Sequence, residues 1–519
     1  MILKRTIPLL LLAGLLQAWS LAWPFAGSAY GVPMGWLQCL SFMVFAYSLD
    51  RVKTLRQAFA TGWWFALAWL LGATWWLFIS LHTYGGLAAP LAAFAILLFA
   101  AGLALFYGAS AALYHWLCDE ETSSLWRIGV FAATWTGAEL VRGNLWTGFP
   151  WGAGGYAHVE GVMRHWAPWM GVYGLTALSA MLAMTLVAKR VSGANPRANG
   201  IVVGGIAIAL GTLWVQSPSR NFEEQATGRS LKVSLLQGNI PQDLKFGAGV
   251  QQALQTYGHD MVNTPADLVV TPETAIPLLP SQLPAGYWER LQAKFTSGQQ
   301  AALIGLPLAS FDDLGRPQYA NAAWGMTPNE PAYRYVKHHL VPFGEFVPPL
   351  FQWFVQQLNI PLGEFQRGAP AQAPLLWRGE RIAPNICYED LFGEELARRF
   401  ANPEAAPTLM VNMSNIAWFG NTIAIEQHLN ISRMRALELG RPMLRATNTG
   451  ATAWIDAQGV VQARLPSAVE GELTVDVQGV HGAVTPYARW VSAWGLWPMA
   501  WVILVVVFGA ARRRRQRHK

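Results

Sequence analysis

Charged residues are scarce in this chain. Only 13% of its 519 residues are Asp, Glu, Lys or Arg, whereas 53% are hydrophobic and 26 are tryptophan. Soluble globular domains carry about 25% charged residues. The composition therefore excludes an ordinary soluble protein and predicts a membrane protein.

Cysteine is scarce as well, and metal-ligand spacing is missing. Cys39, Cys118 and Cys387 are too few and too far apart to form a disulfide framework. His338 and His339 are adjacent, so on a strand they would point to opposite faces and cannot hold one ion together. No nucleotide-binding motif is present either. We therefore expect neither a metal nor another cofactor.

Positive charge is concentrated in short clusters beside apolar segments. We count eight such segments, at residues 6–25, 35–49, 58–79, 87–117, 128–141, 166–188, 200–215 and 490–511. A transmembrane helix needs about 20 residues, so the second, fifth and seventh segments are short. The net charge of +7 alone is compatible with nucleic-acid binding, but its location beside the apolar segments indicates membrane topology instead.

The basic residues fall in every second connection. They are Lys4, Arg5, Arg51, Lys53, Arg56, Arg127, Lys189, Arg190, Arg197 and the run from Arg512 to Arg515. By the positive-inside rule we expect both termini to be cytoplasmic and the stretch after the seventh span to lie outside, in the periplasm if the organism has two membranes. A cleaved signal peptide is the alternative for the first segment, but no small-residue cleavage site follows Phe25.

The composition changes between residues 216 and 489. Prolines and charges appear there, and the apolar runs shorten to strand length and alternate with helical patterns, which predicts one layered α/β domain. The predicted domains are a seven-span membrane domain (1–215), an exterior domain (216–489), a C-terminal transmembrane helix (490–511) and a basic cytoplasmic tail (512–519).

Cys387 lies where an apolar run meets acidic residues, in the segment RIAPNICYEDLF (381–392). The run up to Ile386 predicts a buried strand, and a helical pattern follows. A side chain at such a strand-to-helix elbow can be exposed at the sheet edge, and backbone N–H groups at a helix start can face an oxyanion. The alternative is a packing role, because cysteine is among the most buried residue types.

Two other strand ends carry ionisable residues. Glu273 follows the apolar run in DLVVTPETAI, and Lys337 follows Tyr335 and Val336, with Glu345 in the Pro/Gly loop beyond. A thiol needs a base or a nearby cation to become a good nucleophile. Glutamate can accept its proton, and lysine can stabilise the thiolate and a later oxyanion. Each residue alone also has an ordinary structural explanation.

Aromatic residues are concentrated in two loops. Trp146, Phe149 and Trp151 lie in the glycine-rich segment at residues 142–156, and Trp418 and Phe419 follow a predicted strand. Tryptophan is common at membrane interfaces and in packing, so both are alternatives to a lipid-binding role.

The three ionisable segments together resemble the Glu-Lys-Cys triad of the nitrilase superfamily, whose domain is an αββα sandwich. The spans and the motifs GFPW, QGNIPQ, TPETAI, VPFGEFVP, ICYED, SNIAWFG and RMRALELGRP are similar, in the same order, to the apolipoprotein N-acyltransferases of bacterial inner membranes. The resemblance covers essentially the whole chain. It implies a membrane α-helical bundle of about eight spans with an exterior nitrilase-like domain.

The resemblance also implies a reaction. An acyl chain passes from a phospholipid donor to the N-terminal amino group of a diacylglyceryl apolipoprotein, by a ping-pong scheme with a thioester on Cys387. It further implies Glu273 as general base, Lys337 as charge stabiliser, and Glu345, Tyr388 and Glu389 as supporting residues. Phe246 stands where the family often has tryptophan. We expect a monomer with no nucleic-acid partner.

Two other functions remain as alternatives. A membrane-anchored nitrilase-type amidase would use water rather than an amine as acceptor, yet seven spans exceed what anchoring needs. A transporter with an appended binding domain would place ionisable residues along a midplane pathway, whereas the predicted spans are largely uncharged.

Overall fold

The computed structural model describes residues 2–191, 211, 229–245, 247–348 and 365–517. Within them the chain forms two compact units. Unit 1 draws on Met1–Trp75, Pro90–Ser217 and Trp494–Lys519, and unit 2 on Trp76–Ala89 and Pro218–Ala493. Phe246 and nearly all of the seventh apolar segment lie outside the described residues.

The helices of the described residues are numbered here in chain order. They are α1 (Ile2–Leu21), α2 (Gly35–Leu49), α3 (Leu55–Thr74), α4 (Ala89–Leu117), α5 (Ser124–Asn144), α6 (Ala167–Val191), α7 (Gly249–Asn263), α8 (Tyr287–Ser297), α9 (Gly393–Ala397), α10 (Ala424–Leu439), α11 (Pro486–Trp494) and α12 (Trp497–Arg517). In unit 1, α1 packs on α2 and α3, and α5 packs on α6 and α12.

Two described helical stretches are long and apolar enough to cross a membrane, Ala89–Leu117 and Val162–Val187. A third candidate exists if α11 and α12 count as one broken span, and two more apolar helices, Thr6–Leu21 and Gly35–Leu49, are shorter. The structure thus supports membrane-spanning helices, while the count of eight spans is not confirmed.

The eighth apolar segment differs from the prediction of one continuous helix over residues 490–511. It is divided between α11 and α12, and Gly495 between them has a φ of +57°. Glycine adopts this left-handed conformation without the steric cost that other residues meet, so it permits the interruption. Helix α12 continues through the basic residues to Arg517, so most of the predicted tail is helical.

Unit 2 is built on two six-stranded sheets in the described residues. The strands are β1 (Leu231–Gln237), β2 (Leu268–Val270), β3 (Ala301–Phe311), β4 (Pro317–Met326), β5 (Tyr333–Val336), β6 (Leu375–Trp377), β7 (Glu380–Ile386), β8 (Leu409–Ser414), β9 (Met443–Thr447), β10 (Ala453–Ile455), β11 (Val461–Arg464) and β12 (Gly471–Val477). The first sheet has the order β12-β1-β2-β3-β4-β5 and the second β11-β10-β9-β8-β7-β6. The centre of each sheet is parallel (β1-β2-β3 and β7-β8-β9), and the outer pairs are antiparallel.

Three apolar layers hold this unit together. Residues such as Val233 and Val270 of the first sheet pack directly against Ile382 and Val411 of the second. The outer face of the first sheet is covered by α7 and α8, and the outer face of the second by α9, α10 and α11. The central parallel strands are buried on both faces and are correspondingly rich in Val, Leu, Ile and Met. The predicted αββα sandwich is confirmed.

Candidate active site

The ends of three strands bring the predicted ionisable residues together. Glu273 comes three residues after β2, Lys337 directly follows β5, and Cys387 directly follows β7. The first two strands belong to one sheet and β7 to the other, so the site lies where the two facing sheets end. Glu345 reaches it from a tight turn in which its own main-chain N–H donates to the carbonyl of Val341 at 2.9 Å.

The turn that carries Glu273 is pressed against β3. A Cβ atom at Gly305 would lie 2.0 Å from the carbonyl oxygen of Pro272, so only glycine permits this approach. The main-chain N–H of Gly305 also donates to the hydroxyl of Thr271 at 3.0 Å. Next to Glu273, Thr274 has a φ of +50°, which is costly for a β-branched residue. The turn is therefore held by tertiary contacts in a conformation it would not adopt alone.

The predicted elbow at Cys387 is present. Strand β7 ends at Ile386, and a 3₁₀ helix runs over Cys387–Leu391. Cys387 is half-buried and has a φ of +53°. A non-glycine residue in this region costs about 1–3 kcal/mol and is found mainly where function requires it.

Glu389 fastens the elbow to the end of β5. One of its carboxylate oxygens accepts a hydrogen bond from the Ile386 N–H at 2.6 Å, and the other accepts one from the His338 N–H at 2.6 Å. The hydroxyl of Tyr335 donates to the same carboxylate at 2.8 Å. Through Glu389, the backbone beside Lys337 and the backbone beside Cys387 are thus linked.

A buried ion cluster lies near Cys387. The Lys337 ammonium donates to Glu273 Oε1 at 3.1 Å and to Glu345 Oε1 at 2.9 Å. Asn321 Nδ2 donates to the same two oxygens, at 2.7 Å each. The second oxygen of Glu273 accepts the Asn415 main-chain N–H at 3.0 Å. With Lys337 at 0% exposure, this cluster lies in the low-dielectric interior, where unpaired charges are very costly.

The charges of this cluster set the protonation states. Burial alone would neutralise Glu273, but the ammonium groups of Lys337 and Lys245 and the hydrogen bond from Asn321 hold its pKa below the usual value. Burial likewise opposes the charge on Lys337, yet the two carboxylates raise its pKa. Burial, together with the negative charge of Glu273, raises the pKa of the Cys387 thiol to about 12 against the opposing effect of Lys337. The resting site therefore contains a carboxylate, an ammonium and a protonated thiol.

Three residues of the site were missed by the sequence reasoning. Asn321 lies between Ala320 and Ala322 in the buried part of β4, and an amide within this apolar run was the available signal. Asn415 acts through its main chain, so its identity gave no indication. Lys245 is 4% exposed in the loop between β1 and α7, and its ammonium donates to the carbonyl oxygen of Glu273 at 3.1 Å.

Tyr388 directly follows Cys387 and is buried. Its ring centroid is 5.6 Å from that of His339 and 5.3 Å from that of Phe392. Tyr388 thus packs against the rings of His339 and Phe392 beside the elbow.

The predicted lipid-binding aromatic residues occupy different environments. In unit 1, Trp146 is 93% exposed with a φ of +59°, whereas Trp151 is 3% exposed and therefore packs inside its loop. The ring of Phe149 lies edge-on to Phe99, with centroids 5.0 Å apart. These three aromatic residues belong to unit 1, whereas Glu273, Lys337 and Cys387 belong to unit 2.

Trp418 and Phe419 belong to unit 2 and contact the segment Trp76–Ala89 of the same unit. The Trp76 and Phe419 ring centroids are 4.2 Å apart, and the hydroxyl of Ser80 donates to the Trp418 carbonyl at 2.8 Å. Both aromatic residues are half-buried. The loop after β8 is thus braced by a segment that comes from between α3 and α4.

Comparison with known proteins gives a consistent result along the chain. Residues 13–185 match the family model of the apolipoprotein N-acyltransferase N-terminal domain, and residues 232–485 match that of carbon-nitrogen hydrolases. The chain is 49% identical to the apolipoprotein N-acyltransferase of Verminephrobacter eiseniae, with 98% of this chain and 97% of that protein covered. It is 45% identical to the protein of the same name from Ralstonia nicotianae, with 92% of this chain and 90% of that protein covered.

Solved structures match about half of this chain. A carbon-nitrogen hydrolase from Helicobacter pylori is 16% identical, with 52% of this chain and 94% of that chain covered and a TM-score of 0.34. An amidase from Nesterenkonia is 19% identical, with 48% and 93% covered and a TM-score of 0.34. The near full-length similarity to the curated relatives decides the assignment: this chain belongs to the apolipoprotein N-acyltransferase family.

Proposed function

We propose that this protein transfers an acyl chain from a phospholipid to the α-amino group of the N-terminal diacylglyceryl cysteine of an apolipoprotein. The relatives that match almost the whole chain carry the name of this activity, so the amidase alternative is not favoured. The observation that carries the mechanism is the convergence of Cys387 with the Glu273–Lys337 ion pair, whose atoms are 3.1 Å apart.

In the first half-reaction, Glu273 accepts the proton of the Cys387 thiol while Sγ attacks the ester carbonyl carbon of the phospholipid. Negative charge develops on the carbonyl oxygen, and Lys337 is the nearby cation that stabilises it. The ester C–O bond then breaks, and Glu273 returns the proton to the departing lysophospholipid oxygen. The acyl chain is left on Cys387 as a thioester.

In the second half-reaction, the neutral α-amino group of the apolipoprotein attacks the thioester carbonyl carbon. An α-amino group has a pKa of about 7.7–8.0, so a large fraction is neutral near neutral pH. Glu273 accepts a proton from the nitrogen, the C–S bond breaks, and that proton returns to the thiolate. A thioester keeps the acyl group activated between the two steps, which is the advantage of a covalent intermediate.

The remaining residues act as supports in this proposal. Glu345 shares the Lys337 ammonium with Glu273, so it fixes the position of that ammonium and helps keep it charged. Glu389 fixes the elbow, and Tyr388 packs beside it. Trp146, Phe149, Trp151, Trp418 and Phe419 are proposed to contact the lipid chains, with packing as the alternative for the buried Trp151.

The proposed setting is a bacterial inner membrane. Eight spans, cytoplasmic termini and a periplasmic catalytic domain follow from the alternation of basic connections, and the enzyme is proposed to act as a monomer. Both substrates are anchored in a membrane, which suits a site that receives them one after the other.

The test is the intact mass of the purified protein after incubation with phospholipid alone. We expect an increase equal to one acyl chain that hydroxylamine removes and that maps to Cys387. Cys387→Ala should show no increase, whereas Cys39→Ala and Cys118→Ala should behave like the parent protein. An acyl adduct that persists on Cys387→Ala would contradict the proposed intermediate.

A further inference from the structure

Lys245 is a buried cation that the mechanism above does not use. It lies in the loop after β1, is 4% exposed, and donates from its ammonium to the main-chain carbonyl of Glu273 at 3.1 Å. Burying a lysine is costly unless its surroundings stabilise the charge. The burial of this ammonium beside Glu273 therefore needs a physical explanation.

The loop that carries Lys245 is fixed on the site by amide side chains. The Asn448 side chain accepts the Ile240 N–H at 3.0 Å and donates to the Ile240 carbonyl at 2.8 Å. The Asn415 side chain donates to Gln242 Oε1 at 2.8 Å, while the Asn415 main-chain N–H donates to Glu273 Oε2 at 3.0 Å. The loop and the Glu273 carboxylate thus share an anchor, so Lys245 is held in a defined position relative to the base.

The charge balance of the buried cluster supplies the reason. Without Lys245, the cluster of Glu273, Glu345 and Lys337 has two carboxylates and one ammonium. Releasing the Cys387 thiol proton to solvent would then bring the net charge of the cluster to −2 in a low-dielectric environment. With Lys245 protonated, the resting cluster is neutral and the thiolate state carries only one net negative charge.

We propose that Lys245 is a second cation of the active site, a positioning residue that holds the main chain of Glu273 and offsets the negative charge of the Cys387 thiolate. It acts through Glu273 and Cys387 rather than on substrate, because its ammonium is engaged by the Glu273 carbonyl. The inference deepens the proposed function and rests on its assignment of Cys387 as nucleophile.

The protonation of Lys245 gives the proposal a distinctive pH signature. Burial lowers the pKa of Lys245 to about 8, and the charges of Glu273 and Cys387 act in the opposite direction. Below pH 8 the ammonium is present and favours the thiolate. Above pH 8 Lys245 is neutral in the resting site. The thiol proton can then pass to Lys245 instead of being released to solvent, so the thiolate population rises less steeply with pH. In a variant with a neutral side chain, the thiolate population keeps rising tenfold per pH unit.

The experiment measures alkylation of Cys387 by iodoacetamide in the full-length protein without lipid, followed by mass spectrometry of the peptide that contains Cys387. Lys245→Gln keeps a hydrogen-bond donor but removes the charge, and Lys245→Met removes both. Lys245→Arg keeps the charge and serves as the rescue variant. The matched control is Lys294→Gln. Lys294 is a half-buried lysine in the last turn of α8, and its ammonium likewise donates to main-chain carbonyls in the same unit, those of Val262 and Thr264.

We expect Lys245→Gln to slow alkylation about tenfold at pH 7, since a nearby opposite charge shifts a pKa by about 1–3 units. The difference should narrow above pH 8, Lys245→Arg should remain close to the parent rate below pH 8, and Lys294→Gln should match the parent at every pH. Equal rates for the parent protein and Lys245→Gln across the pH range would overturn the proposal. A slowing that is the same at every pH would also overturn it, because that result indicates a purely structural role.

The failure of this inference is distinguishable from failure of the proposed function. Alkylation needs no phospholipid, so it reports on Lys245 even if no acyl adduct forms on the parent protein. Melting temperatures of the four variants identify any that fail to fold, and a folded Lys245→Met then decides the question if Lys245→Gln does not fold.

Discussion

Two buried glutamates, one in each unit, differ in the groups that contact their carboxylates. In unit 1, Glu139 of α5 is fully buried and accepts hydrogen bonds from the Gly154 N–H at 3.1 Å and the Thr176 hydroxyl at 2.9 Å. In unit 2, Glu273 accepts from the Lys337 ammonium, the Asn321 amide and the Asn415 main chain. The first carboxylate contacts neutral donors, whereas the second belongs to an ion cluster beside a thiol.

The partners of Glu139 explain its role. Gly154 lies in the glycine-rich loop after α5, and the neighbouring Arg142 donates to the carbonyls of Phe149 and Trp151 in the same loop, at 2.6 and 2.7 Å. Glu139 and Arg142 therefore fix the backbone of the connection between α5 and the 3₁₀ helix Gly154–His158. The ionisable residue Glu139 in an apolar helix thus has a structural explanation here.

The first prediction concerns the nucleophile and has the largest expected effect. Cys387→Ala should abolish both half-reactions, because no thioester can form. Cys387→Ser should fold but remain inactive, since a serine hydroxyl is much harder to ionise than a thiol. The measurement is acyl transfer to a lipopeptide, with Cys39→Ala and Cys118→Ala as controls. Full transfer by Cys387→Ala would refute the nucleophile assignment.

Glu273→Gln keeps the size of the side chain but removes the base. Single-turnover acylation should fall by roughly 10² to 10⁴, the range for general acid–base catalysis. Raising the pH should restore part of the rate, because the thiol, with its raised pKa, then ionises without a base. A rate that stays low and independent of pH from 7 to 10 would show that Glu273 does not accept the thiol proton.

Lys337→Met removes the ammonium but keeps a similar length. The loss should be about 10² to 10³ in rate, comparable to loss of an oxyanion donor. High pH should rescue this variant less than Glu273→Gln, because deprotonating the thiol does not restore oxyanion stabilisation. The double variant should lose less than the product of the two single losses if these residues act as one unit with Cys387. If the two losses were additive and the two single variants had identical pH profiles, Glu273 and Lys337 would not have the coupled roles proposed here.

Glu139→Gln should have the smallest effect. Its amide oxygen can still accept the Gly154 N–H, and the Thr176 hydroxyl can reorient to accept from the amide nitrogen. We expect a loss of stability of about 0.5–1.5 kcal/mol, the value of one hydrogen bond, and an acylation rate within a few-fold of the parent. Thermal unfolding and single-turnover acylation measure the two effects. A rate loss as large as that of Glu273→Gln would contradict the structural role assigned to Glu139.

The sequence predicted those features of the fold and the site that a local residue pattern determines. An apolar strand followed by acidic residues predicted the elbow at Cys387, and apolar runs with alternating helical patterns predicted the layered domain. The missed features depend on tertiary contacts. Asn321 is a polar residue between buried alanines of β4. Lys245 lies in a loop, and its local sequence pattern gives no reason to predict burial.

The boundaries of the membrane segments were harder to predict for a similar reason. Trp76–Ala89 continues the apolar character of α3, but it packs with Trp418 and Phe419 of unit 2. Hydropathy measures the preference for an apolar environment and does not distinguish lipid from a protein surface. The break at Gly495 was missed because one glycine within an apolar run has little effect on average hydropathy.

The most direct test of the central claim is a chase experiment on the isolated acyl-enzyme. The protein is acylated with labelled phospholipid, freed of excess lipid, and mixed with a diacylglyceryl peptide that has a free α-amino group, or with the same peptide acetylated at that group. We predict that label leaves Cys387 and appears on the free-amine peptide with the same rate constant, while the acetylated peptide and water leave the acyl-enzyme intact. Label that passes to water at the same rate with either peptide, or that reaches the peptide while remaining undiminished on Cys387, would contradict the account.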